Sequence, residues 1–286
     1  MMNASSIVLA ALLVLTTAGA SGALVPPLAK GLAPHRAVYD LKLDTAKDAA
    51  DVTDASGRIV FEFAGSACEG FTQNMRFVLK TTNKDGVSNL SDLRTSTWED
   101  ADGRRFRFNQ KNFDNQQEGQ TLSGNALRDE GTGKVAVSIG DSGAGAKPLS
   151  LPSGVLFPVQ HTLSILAAAE KGDAFMSVNL FDGSDNGNKV YFTNTLIGHE
   201  KAKIDDSEIA NVKNAEKLKA MRSWPVNVAF FNEGSDKAEG TPSQEMGFRL
   251  YENGVVRSLH LDYGTMSLNG TLAEIEFYPP AVCPSN

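Results

Sequence analysis

Apolar and polar residues alternate over short stretches along most of this chain, and Gly, Asp and Asn punctuate the stretches. That pattern belongs to antiparallel strands rather than to helices. Arg105-Phe106-Arg107-Phe108-Asn109 is the clearest case: both phenylalanines fall on one face, and charged or polar residues on the other. The apolar runs at 38–43 and 58–63 are of the same kind. Further strands are predicted at 73–81, 87–95, 116–123, 135–139, 175–181, 190–197, 226–231, 246–251 and 255–263. Asp102-Gly103, Asn253-Gly254 and Asn269-Gly270 read as two-residue hairpin turns, with Gly accepting a positive φ. Strands this close together must pair mainly antiparallel, because a parallel pair needs a crossover of about a dozen residues.

Two segments break the alternation. At 157–170 a Pro stands in the first turn, Val159, Leu163, Leu166 and Ala167 share a face, and Lys171-Gly172 follows. These are the start, stripe and stop of a helix. Residues 201–222 are dense in charge, with Ile209, Val212, Leu218 and Met221 at roughly helical spacing, acids first and bases last. This stretch reads as an inserted surface helix or loop. The expected fold is therefore mainly β with one or two short helices: one large antiparallel curved sheet, an incomplete, open barrel, or a barrel with the helix plugging one opening. Sheets of this size curl or close to limit exposed edges.

Residues 7–20 are uncharged and mostly apolar, too short for a bilayer core of roughly 30 Å, which needs about 20 residues. Ala18 and Ala20 suit a signal-peptide cut before Ser21, and a second option lies after Ala23. The basic residues usual ahead of such a leader are missing. The expected division is a signal peptide at 1–20 and a single domain at 30–286 with a charged insert near 201–222, exported and not membrane-spanning once cut. Cys68 and Cys283 are the two cysteines. In an oxidising compartment they read as one long-range structural disulfide, the alternative being two unrelated buried thiols. The net charge of −7, with no Lys/Arg cluster, argues against nucleic acid and against charge-driven binding to anionic lipid.

Candidate chemistry is sparse. Gly140-Asp141-Ser142-Gly143 imitates a serine-protease nucleophile segment, but no histidine sits in the setting such an enzyme gives its base. Residues 182–187 carry oxygen ligands at the first, third and fifth positions of a calcium loop and Gly at the sixth. Thr193 stands where the bidentate Glu belongs, so a polar hairpin loop is the better reading. The four histidines lack ligand spacing; no metal, cofactor or catalytic residue is assigned. His161 falls in the first turn of the helix and reads as a packing or capping residue. Asp40, Glu62, Asp262, Glu274 and Glu276 lie on predicted strands and supply no assignable acid–base pair. Fifteen Phe against five Tyr and two Trp indicate a strongly apolar interior, which is either an ordinary core or the lining of a ligand groove presented by Phe106 and Phe108.

Several segments, in order, resemble the periplasmic cell-envelope integrity (EipB-type) family. They are Leu32-Ala33-Pro34-His35-Arg36-Ala37-Val38-Tyr39, Val155-Leu156-Phe157-Pro158 running into His161-Thr162, and Arg222-Ser223-Trp224-Pro225-Val226. Tyr251-Glu252-Asn253-Gly254-Val255, Leu261-Asp262-Tyr263-Gly264 and the Cys68/Cys283 pair complete the match. The resemblance implies a periplasmic β-spiral with an internal disulfide and a link to envelope integrity, and carries over no catalytic residue. The expected function is non-enzymatic binding of an envelope protein or lipid. The alternatives are a carrier of lipid or another hydrophobic ligand, and an envelope hydrolase using paired carboxylates.

Overall fold

The structure, a computed structural model, describes residues 31–140, 149–203, 209–232, 240–280 and 283. The leader at 1–30 and most of the Gly140–Gly143 motif lie outside them. The described chain forms a 14-stranded antiparallel sheet. Its strands are β1 (His35–Ala46), β2 (Asp54–Ser66), β3 (Gly70–Thr82), β4 (Ser88–Glu99), β5 (Arg105–Asp114), β6 (Gln117–Arg128) and β7 (Val135–Ile139). They continue with β8 (Leu149–Leu151), β9 (Phe175–Leu180), β10 (Tyr191–Ile197), β11 (Ser223–Asn232), β12 (Gln244–Tyr251), β13 (Val256–Asp262) and β14 (Met266–Phe277). A helix, α1 (Pro158–Lys171), lies between β8 and β9.

The strand order is β8-β7-β6-β5-β4-β3-β2-β1-β14-β13-β12-β11-β10-β9. Every neighbour is therefore a hairpin partner except β1 and β14, which join the two ends of the chain. The sheet is not closed by a ladder between β8 and β9. Instead the segment after β8 crosses to the free edge of β9, where Leu156 N–H donates to Asn179 and the Leu156 carbonyl accepts from Phe181 N–H, at 2.8 and 2.9 Å. Two such bonds give the open edge a partner, which is the requirement an exposed strand imposes. The expected open, barrel-like spiral is what forms.

One face of every strand turns inward. On β1 and β2 these positions include Ala37, Tyr39, Leu41, Ile59 and Phe63, and on β11 Trp224, Val226, Val228 and Phe230; all are buried. The sheet curls around α1. Val159 and Leu163 pack on Phe63 and Phe71, while Ile165, Leu166, Ala168 and Ala169 pack on Trp224, Val226, Val228 and Leu250 from the opposite part of the sheet. Pro158 opens the helix, and Gly172, at φ 80°, closes it by donating its N–H to Ala168 and Ala169.

Part of the charged stretch, 204–208, lies outside the described residues. In the rest, residue 209 is helical, Lys213 bridges to Glu274 of β14, and a 3-10 turn spans Glu216–Leu218. The apolar periodicity is meaningful: Ile209, Ala215 and Leu218 are buried against Tyr39, Leu41, Leu268 and Leu272, with Val212 and Met221 beside them. Most of the side chains between them are exposed, so the stretch lies at the surface and anchors itself by these few apolar residues.

The Asn269-Gly270 turn is also corrected. Both residues lie inside β14, opposite His260 and Leu259. The actual β13–β14 turn uses Gly264, at φ 80°, whose N–H donates to Asp262 Oδ1 at 2.7 Å. Gly270 serves packing: a Cβ there would meet Leu259 and Leu41 side-chain carbons at 2.9 Å. A hairpin turn does form at Asn253-Gly254, but with three loop residues, 252–254, rather than two: Tyr251 N–H donates to Val255 O at 2.9 Å, and Gly254, at φ 83°, alone of the three takes a positive φ.

Cys68, in the β2–β3 connection, is bonded to Cys283 in the tail after β14, with Cα atoms 5.7 Å apart across a sequence separation of 215. Since β2 and β14 flank β1, the bridge locks the two chain ends across the central strand.

Candidate binding face

Phe106 and Phe108 face inward from β5 and are 0% and 5% exposed. Phe106 stacks on Phe157 at 5.1 Å between centroids and meets Phe181 edge-on at 6.1 Å; Phe108 meets Phe181 edge-on at 5.8 Å. These rings form closed core in this structure, with Val135, Val137, Leu151 and Val155 around them. The 182–187 loop has a matching role. Gly183 lies so close over Phe108 that a Cβ would come within 2.4 Å of its Cγ, and Gln120 Nε2 ties Asn186 Oδ1 down at 2.8 Å. The calcium-loop glycines are thus explained by ring packing, and Asp182 by its turn, where it accepts from Ser184 N–H at 2.9 Å.

The inner face holds one chemical group that sequence reasoning missed. Glu99, the last residue of β4, is 1% exposed and points at the start of α1. Its two carboxyl oxygens accept from Val159 N–H at 2.8 Å and Gln160 N–H at 3.1 Å. The N-cap residue itself is Phe157, which has no side-chain acceptor, so a residue about sixty positions away in sequence supplies the cap. Burial raises the Glu99 pKa to about 8, outweighing the two amide donors. His161, one turn into the same helix, is pushed down to about 4 by burial, and its Nε2 lies 3.4 Å from Thr193 Oγ1. Both groups are sealed from solvent and hold structure. The strand acids are likewise engaged locally. Asp40 accepts from Arg58 at 2.7 Å, Glu62 pairs with Arg36 at 3.5 Å, Glu274 with Lys213 at 3.2 Å, and Asp262 closes its turn. Glu62 and Glu276 are the two that come near each other: they oppose Arg36 from the strands on either side of β1, and both add to the burial that raises the Tyr278 pKa. Among the described residues there is no group of three or more His, Cys, Asp or Glu able to hold a metal.

The outer face of β3–β6 is different in kind. Its positions repeat across strands in register. Thr72, Trp98, Arg107 and Asn125 form one row; Asn74, Ser96, Asn109 and Ser123 the next; Arg76, Arg94 and Lys111 a third. Trp98 is held in place by its indole N–H, which donates to Glu69 O at 3.2 Å, and the Arg105 and Arg107 guanidinium carbons lie 5.8 and 5.3 Å from its ring centroid. Trp98 separates two depressions. One, of about 310 Å³, is lined by Thr72, Ser96, Trp98, Arg107, Asn109 and Asn125 among others. The other, of about 700 Å³, lies toward Cys68, Glu69, Asp100, Arg104 and Arg105. Asp92, one step beyond the third row on β4, accepts from Arg76 and Arg94, each at 2.8 Å, and those hydrogen bonds hold its pKa down to about 2. Two cations thus meet one carboxylate there, with Lys111 opposite Arg94 in register. Arg105 is tied to Asp100 and Arg104 to Glu130, whereas Arg107 has no carboxylate partner among the described residues.

Comparison with known proteins gives concordant results. The EipB-like family model matches residues 28–279. The cell envelope integrity protein EipB of Brucella abortus (strain 2308) is 35% identical over 261 residues, spanning 91% of this chain and 90% of the relative. A crystal structure of a β-barrel-like protein of a domain of unknown function from Brucella abortus superposes with a TM-score of 0.77 at 34% identity, covering 87% of this chain and 99% of that one. A match over nearly the whole described sheet, in sequence and in fold together, means that this chain belongs to the EipB-like family.

Proposed function

We propose that this is an exported, periplasmic protein that supports the integrity of the cell envelope by holding another envelope component on the outer face of β3–β6, without converting it chemically. The relative's name points to the envelope. The interior argues for the outside as the working surface, because α1 and the buried Ile209, Ala215 and Leu218 pack against the inner positions of the sheet and the perturbed groups Glu99 and His161 lie sealed within it. The observation that carries the reading is Arg107. It is an exposed cation stacked on a fixed tryptophan, beside a hydroxyl- and amide-lined depression, with no carboxylate partner among the described residues of an acidic chain. A cation left unpaired beside a concave polar floor is what a site for an anionic partner provides.

The test is complementation. A strain deleted for the gene and challenged with detergent is supplied with the wild-type chain or with the Trp98→Ala/Arg107→Ala double variant. The reading expects wild type to restore resistance and the variant, present at equal periplasmic level, to fail. Full rescue by the variant would overturn it.

A further inference from the structure

The chemistry of the first two rows is specific enough to name a ligand class. We infer that the depression beside Trp98 and Arg107 binds an anionic saccharide, a sugar chain bearing carboxylate or phosphate groups; this rests on the outer face being the working surface.

The floor of the depression is built from side-chain amides and hydroxyls: Thr72, Ser96, Asn109, Ser123 and Asn125. Each amide carries both donors and acceptors, and each hydroxyl does too. A sugar presents paired hydroxyl donors and acceptors around its ring and matches such a floor. A lone phosphate or carboxylate needs donors only. Asn109 and Asn125 spend no side-chain hydrogen bond on other described residues, and of the five floor residues Ser96 is the one engaged through its side chain, donating to Asn74 Oδ1 at 2.7 Å.

The wall adds the other two elements of saccharide recognition. Trp98 is half-buried and fixed by its bond to Glu69, and the Arg105 and Arg107 guanidinium groups lie over its ring, so a sugar ring stacks on the indole by displacing one of them. Arg107 directs a planar fork of donors to the same place, which suits a carboxylate or phosphate. One strand step of two residues beyond the amide row, about 7 Å away, stand Lys111 and the Asp92-paired Arg76 and Arg94, a local excess of positive charge toward which a longer chain would extend.

The rival occupants fit less well. A membrane surface would meet apolar side chains able to enter the interface or a convex polybasic patch. Here the centre is concave and lined with amides. A protein partner would be expected to cover an apolar, aromatic centre with a polar rim. Here two aromatic side chains, Trp98 and the nearly buried Phe108, border a small floor of amides and hydroxyls of about 310 Å³.

The experiment is calorimetric titration of the full mature, disulfide-bonded chain, with tryptophan fluorescence as a second readout. Oligogalacturonate is the acidic sugar probe. A neutral malto-oligosaccharide, poly-glutamate and phosphatidylglycerol vesicles are the comparisons. The inference expects saturable binding of oligogalacturonate, weakened by added salt. Trp98→Ala and Arg107→Ala should each weaken it by roughly ten-fold or more, with melting temperature retained. Asn109→Ala/Asn125→Ala, which removes the floor and no charge, should weaken it as well. Poly-glutamate or the vesicles binding as tightly as the sugar would overturn the assignment in favour of an acidic protein or a lipid surface, and absence of oligogalacturonate binding would overturn it outright. The two proposals separate cleanly. Lost rescue in cells with no sugar binding defeats the saccharide and keeps the outer face. Intact rescue by a variant that has lost sugar binding defeats the outer-face function, and with it the biological meaning of the site.

Discussion

Replacing Glu99 by Gln isolates one buried proton. In the folded chain the carboxyl is held near pKa 8 by burial, against 4.5 when unfolded. Between those values the folded state keeps a proton that the unfolded state has released. Stability therefore falls with rising pH, by up to about 1.4 kcal/mol per pH unit and about 5 kcal/mol over the whole window. The contribution is fully present below 4.5 and lost as pH rises through about 8. Gln has no proton to lose, but its single acceptor oxygen serves only one of the two amides of Val159 and Gln160. In mildly acid solution Glu99→Gln should therefore be less stable than wild type by about 1 kcal/mol, the value of one cap bond. In alkaline solution the order should invert, because wild type must then hold a buried carboxylate. Urea unfolding of both proteins at about pH 5, 7 and 9 measures the difference, and background titration common to both cancels. A difference that stays constant with pH, or Gln less stable throughout, would refute the reasoning.

Other perturbations follow from the same geometry. Cys68→Ser opens a 215-residue loop and should cost at most about 5 kcal/mol, seen as a lower melting temperature and faster periplasmic proteolysis; equal melting of both proteins would show that the bridge contributes nothing. Gly183→Ala places a Cβ 2.4 Å from the Phe108 ring at φ 76°, and should destabilise by about 2 kcal/mol or more in denaturant unfolding. His161, with its pKa lowered from 6.5 to about 4, contributes stability above pH 6.5 that is lost as pH falls toward 4. His161→Gln should flatten the acid limb of the stability curve by about 3 kcal/mol at most, and an unchanged acid limb would mean the ring is hydrated in the folded state.

The sheet was legible because its information is local. Alternation at Arg105–Asn109, the helix signals around Pro158 and Gly172, and the cysteine pair each declare themselves within a few residues or by compartment. What was not legible depends on distant contacts. Phe106 and Phe108 carry the same pattern whether the inner face is open or filled, and only the arrival of Phe157 and Phe181 decides that it is filled. Glu99 reads as an ordinary strand terminus until α1 is brought onto it. Asn269-Gly270 has turn composition, yet its glycine answers crowding by Leu41 and Leu259. The Trp98 face could have been found by asking which positions oppose the apolar ones on four successive strands. That question needs the register, and register is fixed by pairing, not by composition.

The account rests on a filled interior and a working outer surface. Hydrogen exchange of the native, disulfide-bonded chain tests this most directly, by comparing amides of α1 with those of the surrounding strands. If α1 is integral core, its amides from Leu163 to Ala169 exchange as slowly as those of β1 and β11, and only on global unfolding. If α1 exchanges well ahead of the sheet, the helix is a removable plug, the inner face opens, and the case for an outer binding surface is contradicted.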